Sequence, residues 1–268
     1  MIMTSQQLQF FDIFGFLKFP GIFSEEIQQI TDEFENVVRL SGTNHDYKQR
    51  STIDPFADIN DYLSQLIDDP RIDSVVSSIL GADYNYAGSD GSYYVGDTLW
   101  HSDHHPDAPY NSLKIAFYLD NVFDDSGCLR VIPGSCHWKD KYTMALDKIF
   151  PVQADNNTQQ VFGITGDQLP AHAVTSEPGD MLLFNHKTKH SSWGGGNMRR
   201  MFTYNFEQRF PDQIITELET LIKPRLLPGK SSPYGANMLA TAGSDRMIHL
   251  EQRIQISSHL NRTNIPTD

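Results

Sequence analysis

His101 and Asp103 stand two positions apart, preceded by Trp100 and separated by Ser102. On a β-strand that spacing puts an imidazole and a carboxylate on one face, a few ångströms apart. A second histidine brought alongside would complete two imidazoles and one carboxylate on one side of a metal. Such a facial triad suits non-haem Fe(II) and leaves the opposite coordination positions open. A His-x-Asp tripeptide is common on its own, so its weight depends on what else the chain supplies.

Two histidines compete for the third place. The turn Glu177-Pro178-Gly179-Asp180 leads into the apolar run Met181–Phe184, then to His186 and His190. The H-x-x-x-H spacing would put both on one face of a helix. Here they follow a strand and a polar turn, and Lys187 stands where a zinc-peptidase helix needs glutamate. His104 and His105 follow the His-x-Asp pair directly and read as solvated loop residues, with substrate contact at the pocket mouth as the alternative.

These residues need a frame. From about 83 to 208, short β-rich runs alternate with Gly, Asp, Asn and Pro turns, at 91–95, 98–103, 112–121, 128–132, 171–175, 181–185 and 200–208. Such a series predicts an antiparallel sandwich or barrel of the jelly-roll type. Residues 1–82 read as helical, with a strand-like interruption at 15–20, a helix start at Ser24, helices near 58–68 and from Pro70 to Leu80, and a stop at Gly81. Residues 41–56 are polar and read as a loop, and 136–170 as a long insertion of the kind that forms lids. Residues 209–268 return to a helical pattern with a Pro/Gly/Ser-rich break at 224–236. The expectation is one domain over 1–268, mainly β with flanking helices.

Composition narrows the partners. The chain has 268 residues, 39% hydrophobic and 11% aromatic, enough for a substantial core. Its net charge of −13 repels phosphate backbones, so nucleic acid and anionic membrane are poor partners and a small molecule is expected. The N-terminus lacks a basic region followed by an apolar run, and no apolar stretch is long enough to span a bilayer, so a cytoplasmic protein is expected. The two cysteines, Cys128 and Cys136, flank a turn and are near enough to pair. With so few cysteines, two reduced thiols are the expected state.

Taken together, Trp100-His101-Ser102-Asp103, the stretch Gly127-Cys128-Leu129-Arg130-Val131-Ile132-Pro133-Gly134-Ser135, and the Gly179-Asp180 strand leading to a distal histidine resemble the phytanoyl-CoA dioxygenase-like family, which includes the ectoine hydroxylases. The resemblance is close over roughly 95–208 and loose before it. Cys136 departs from it, intervening before His137, which is not a ligand in that family.

The resemblance implies a double-stranded β-helix (jelly-roll, cupin-like) core and Fe(II), with 2-oxoglutarate and O2 as cosubstrates. It implies His101, Asp103 and His190 as metal ligands, since the family's spacing fits His190 better than His186. An arginine on the following strand would take the distal carboxylate of the cosubstrate, because its planar fork makes a two-point contact. Arg199 aligns better than Arg200, and the two must point to opposite faces. Ser192 matches a second cosubstrate position. Lys48 lies in a loop where some relatives place a further basic contact, though a solvated lysine is the plainer reading. Lys114, in the middle of the run Ser112–Asp120, points either into the barrel or outward.

Related halogenases carry a small residue in place of the carboxylate, so Asp103 argues for hydroxylation or a kindred oxidation. The implied activity is hydroxylation of a small polar metabolite, with release of succinate and CO2. The competing readings are a non-catalytic metabolite-binding jelly roll and a metal cupin enzyme that uses no cosubstrate.

Overall fold

The computed structural model describes residues 3–105, 107–150, 160, 161, 163–215 and 232–263. Strand alternation sets its layers. On β5 (Ser112–Tyr118), Leu113, Ile115 and Phe117 face one side and Lys114, Ala116 and Tyr118 the other. The first set joins a large apolar cluster under the helices. Ala116 and Tyr118 join a second cluster between the sheets.

The same division repeats on β10 (Met181–Asn185), where Met181 and Leu183 face the helices and Leu182 and Phe184 face inward. On β12 (Arg199–Glu207), Phe202, Tyr204 and Phe206 face the helices. Arg199, Met201, Thr203, Asn205 and Glu207 are therefore left for the interior.

These strands belong to a six-stranded antiparallel sheet in the order β1-β10-β5-β12-β3-β2. Its other members are β1 (Phe16–Phe19), β2 (Ser51–Ile53) and β3 (Asn85–Tyr94). A four-stranded sheet, β4-β11-β6-β9, faces it. It contains β4 (Thr98–His101), β6 (Leu129–Val131), β9 (His172–Val174) and β11 (His190–Ser192). A two-stranded ribbon joins β7 (Gln160–Val161) to β8 (Ile164–Thr165). The two facing antiparallel sheets form the expected jelly roll.

Helices cover the outer face of the large sheet. They are α1 (Ser5–Phe14), α2 (Ile27–Ser41), α3 (Asp61–Gln65) and α4 (Pro70–Leu80). From the C-terminal part come α6 (Ala236–Ala240) and α7 (Ser244–Thr263), while α5 (Lys141–Asp147) lies in the predicted insertion. None of the described helices is long and apolar enough to cross a membrane. Asp69 caps α4 and Gly81 ends it, as the residue types require.

Several boundaries differ from the sequence reading. Ser24 does not cap α2, because it sits in a turn closing back on Gly21, and the helix begins at Ile27. The region 58–68 is a short α-helix between two 3-10 turns. The supposed loop 41–56 contributes β2, which pairs with β3. The break at 224–236 lies mostly outside the described residues. Cys128 and Cys136 are both free and buried.

Candidate metal and cosubstrate centre

Pairing register brings the two histidines together. His101 on β4 and His190 on β11 are direct cross-strand partners, and their ring centroids lie 4.2 Å apart. The chain leaves β4 after His101, so Asp103 is not on the strand as the sequence suggested. A turn carries it back instead: the amides of Asp103 and His104 both donate to the carbonyl of His186, at 2.9 and 3.1 Å. Asp103 Oδ1 then lies 3.9 Å from His101 Nε2, and Oδ2 lies 3.8 Å from His190 Nε2. Ligand atoms of all three residues fall within 4.8 Å of one another.

Backbone carbonyls fix both tautomers. His101 Nδ1 meets Leu99 O at 2.7 Å, and His190 Nδ1 meets Thr188 O at 2.9 Å. A carbonyl only accepts, so each Nδ1 carries the proton and each Nε2 presents a lone pair to the site. Burial pushes the His190 imidazole down to about 3, and neighbouring His101 adds to the fall. Burial also lowers His101. For Asp103, burial raises the carboxyl, but Lys114 and the surrounding histidines outweigh it and hold the group well below its ordinary value. Neutral imidazoles beside an ionised carboxylate are the forms that bind a divalent metal. The donor set therefore fits Fe(II).

Lys114 points inward, with Nζ 2.9 Å from Asp103 Oδ2 as an ion pair. It lies in the cross-strand row of Phe184, Lys114, Asn205 and Gly88. Burial works against its charge, but Asp103 and Asp90 more than restore it.

Arg199 is 4% exposed and opposes Tyr94 across β12 and β3. Its Nη2 donates to Ser192 Oγ at 3.0 Å, and its guanidinium carbon lies 5.1 Å from the centre of the Tyr94 ring. Among the described residues its Nε and Nη1 have no protein partner, an orphaned buried fork of the kind a carboxylate fills. Two glycines make room for it: a Cβ at Gly127 would come within 1.8 Å of Nη1, and one at Gly195 within 2.1 Å. His101, Asp103, His190, Ser192 and Arg199 line one cavity of 490 Å³.

Two candidates fall elsewhere. Arg200 points to the opposite face of β12, where its Nη2 donates to Asp120 at 2.6 Å and its Nη1 to Glu35 at 2.9 Å. It is structural, for the alternation reason given above. Lys48 is exposed and does not reach the cavity. Arg50, two residues on, does: its guanidinium lies 4.0 Å from the centre of the Tyr94 ring, and Nη2 donates to Ser92 Oγ at 3.1 Å. The sequence reading passed over Arg50 and Tyr94. Extending the strand pattern back from 91 would have put Tyr94 and Asp90 on one face.

A second cavity, of 470 Å³, adjoins the first and shares Asp54, Asp90, Asp103 and Lys114 with it. His104 and His186 line it. His104 is thus not the solvated residue expected: it is 7% exposed, with Nδ1 2.9 Å from Ser112 Oγ. The turn that returns Asp103 to the site folds its neighbour inward too. His105 is exposed and contacts Asp107. His186 lies outside the ligand cluster, and its Nε2 meets Asn205 Oδ1 at 3.0 Å.

A His-Asp-His group able to hold a metal, beside a buried guanidinium fork suited to a carboxylate, fits the non-haem iron oxygenases that consume a 2-oxo acid. The family follows: the phytanoyl-CoA dioxygenase (PhyH) model matches residues 11–201, and the chain belongs to that family. The L-proline trans-4-hydroxylase of Streptomyces griseoviridis is 28% identical over a match covering 40% of this chain and 47% of that protein, about half the relative's length.

Among solved structures, HygX from Streptomyces hygroscopicus with nickel and 2-oxoglutarate bound aligns with a TM-score of 0.61 and 14% identity, over 78% of this chain and 89% of that one. The alpha-ketoglutarate-dependent carbocyclase SnoK from nogalamycin biosynthesis gives 0.59 and 20%, over 77% and 84%. EctD from S. alaskensis with 2-oxoglutarate and 5-hydroxyectoine gives 0.57 and 19%, over 77% and 76%. At these identities the structural matches establish the shared fold.

Proposed function

We propose that the protein is a 2-oxoglutarate-dependent iron dioxygenase that hydroxylates a small polar metabolite, releasing succinate and CO2. The observation that carries this reading is the orphaned guanidinium of Arg199 in the same cavity as the triad. Family membership and the partial match to a proline hydroxylase support it.

His101, Asp103 and His190 would hold Fe(II). Arg199 and Ser192 would grip the distal carboxylate of the cosubstrate, with Arg50 and Tyr94 bounding the same cavity. Iron, 2-oxoglutarate and O2 together supply an oxidant able to take hydrogen from an unactivated C–H bond. The protein's part is to orient the target carbon and keep water away.

Lys114 holds the carboxylate of Asp103 in place and keeps it ionised. A carboxylate among the three candidate ligands favours hydroxylation or a kindred oxidation over halogenation. The net charge of −13 favours a small molecule over nucleic acid or anionic membrane. Cytoplasmic residence, where Fe(II) and 2-oxoglutarate are available, fits the reading and the two free thiols.

Anaerobic titration with Fe(II) and 2-oxoglutarate tests the proposal. A metal-to-ligand charge-transfer band is expected in the wild type and absent in His190→Ala. A binding-only jelly roll gives no band. A cupin without cosubstrate would keep its turnover when Arg199 is replaced by methionine.

A further inference from the structure

Asp103 differs from the two histidines in what fixes its side chain. Each histidine stands on a strand and has its ring set by a carbonyl on Nδ1. Asp103 stands on a turn, where His186 O holds its own amide and that of His104 but leaves the carboxylate free to rotate. Lys114 reaches that carboxylate from the facing sheet, with Nζ 2.9 Å from Oδ2.

The lysine is firmly placed. On β5 it pairs with Phe184 of β10 and with Asn205 of β12. Its side chain is 15% exposed, and Nζ lies 5.9 Å from the centre of the Phe184 ring. Phe184 is buried and also packs against the His190 ring, with 4.9 Å between centroids. One aromatic ring thus braces both the third ligand and the lysine.

Stability does not call for a charge at this position. The inward neighbours of Lys114 on β5 are Ala116 and Tyr118, which join the apolar cluster between the sheets. A buried ion pair contributes little net stability beside an apolar residue of similar volume. The charge instead bears on the metal site, because the two oxygens of Asp103 are not equivalent. Oδ1 lies 3.9 Å from His101 Nε2. Oδ2 is buried and carries the ammonium. A divalent metal seated on Oδ2 would stand against a like charge, whereas one seated on Oδ1 is farther from it.

We infer, building on the iron dioxygenase reading above, that Lys114 is a positioning residue that confines Asp103 to metal binding through one oxygen, Oδ1. It thereby leaves to the cosubstrate and O2 a position that a chelating carboxylate would take.

The test compares wild type with Lys114→Met, whose side chain is of similar length but uncharged, both loaded anaerobically with Fe(II) and 2-oxoglutarate. Nitric oxide is then added as a probe of a position still open on the metal, read by the electron paramagnetic resonance of its iron complex. Both proteins should show the charge-transfer band. Fe(II) should bind to the variant within tenfold of wild type, because the freed oxygen and the missing like charge offset the lost restraint. The nitric oxide signal should fall more than threefold. Were Lys114 only a prop for the site, metal binding and the band would fall together. Fe(II) binding weakened tenfold or more, or a nitric oxide signal within threefold of wild type, overturns the proposal.

A crystal structure of the wild type with Ni(II) bound gives a reading that does not depend on the variant folding. Oδ1 alone on the metal, with Nζ still on Oδ2, is the expected result. Oδ2 on the metal, alone or with Oδ1, overturns the proposal. Absence of the band in the wild type would overturn the iron dioxygenase reading instead, so the two can fail apart.

Discussion

The two adjoining cavities are built differently. The candidate metal and cosubstrate cavity takes most of its groups from regular strands, His101 from β4, His190 and Ser192 from β11, and Arg199 from β12, with Asp103 delivered by the turn after β4. Its groups are fixed by ladder register and by carbonyls on Nδ1. The adjoining chamber shares β3, β5 and β12 with it but takes Asp54, Asp58 and His104 from connecting segments and Tyr234 and Arg253 from the C-terminal part. Strands hold atoms to a register that a one-residue slip would destroy, whereas loops tolerate change. On the proposed reading, the chemistry rests mainly on the rigid part, and the chamber beside it is built on the more adaptable part.

The largest effects should come from the rigid part. His190→Ala or Asp103→Ala removes a ligand and leaves the metal weakly held. Substrate-stimulated succinate release should fall by more than about a thousandfold, since metal polarisation supplies several kcal/mol. Residual turnover above a hundredth of wild type would break the division. Next comes the pair of adjacent arginines. Arg199→Met should raise the 2-oxoglutarate KM by at least about tenfold, the loss of a charge-assisted two-point contact. Arg200→Met should leave that KM within about twofold, because its partners Asp120 and Glu35 lie on the other face. Equal shifts in the two variants would refute the assignment by alternation.

That alternation explains how much was legible. Period-two burial runs through β5, β10 and β12, so the jelly roll and the opposite facing of Arg199 and Arg200 could be read from residue types, while the choice of Arg199 and His190 came from the family resemblance. Asp103 was found although the expected strand stops short of it, because a turn pinned by His186 O delivers the same side chain. Arg50 was missed because a three-residue strand leaves no periodic signal. The burial of His104 depends on that same turn, and the meeting of the two cavities on segments far apart in sequence. Neither is a local property of the chain.

A smaller effect is expected at Lys189, next to His190 in the chain. It is 1% exposed, with Nζ 2.7 Å from Asp147 in α5, 3.1 Å from Ser102 Oγ and 3.3 Å from Phe150 O. Ser102 lies between two ligands and Lys189 beside the third, so this buried cation ties the insertion to the metal strands. Lys189→Met should weaken Fe(II) binding by about tenfold, as loss of outer-shell support does. Once iron is saturating, the KM for 2-oxoglutarate should be unchanged. A shifted KM would show that the insertion acts on the cosubstrate as well.

The smallest effect on activity is expected where neither cavity is touched. Asp180 accepts from the amides of Gly21 at 2.7 Å and Glu177 at 3.0 Å and pairs with Lys18 at 2.7 Å, locking β1 against the turn before β10. Gly179 makes that turn with φ +99, and a Cβ there would stand 2.9 Å from the Cα of Ser24. Burial raises the Asp180 carboxyl, but Lys18 and the two amides outweigh it, so the folded value lies below the ordinary 3.8. A depressed folded value means the stabilisation is complete above 3.8 and is lost as pH falls through the folded value. Asp180→Asn should therefore cost roughly 1–3 kcal/mol at neutral pH, the range for hydrogen bonds to a charged group that is nearly all buried. The gap between wild type and variant in urea midpoint should narrow as pH drops below 4. Both KM values should stay at wild-type level throughout, and a change in either would mean that the edge strand helps to shape the cavities.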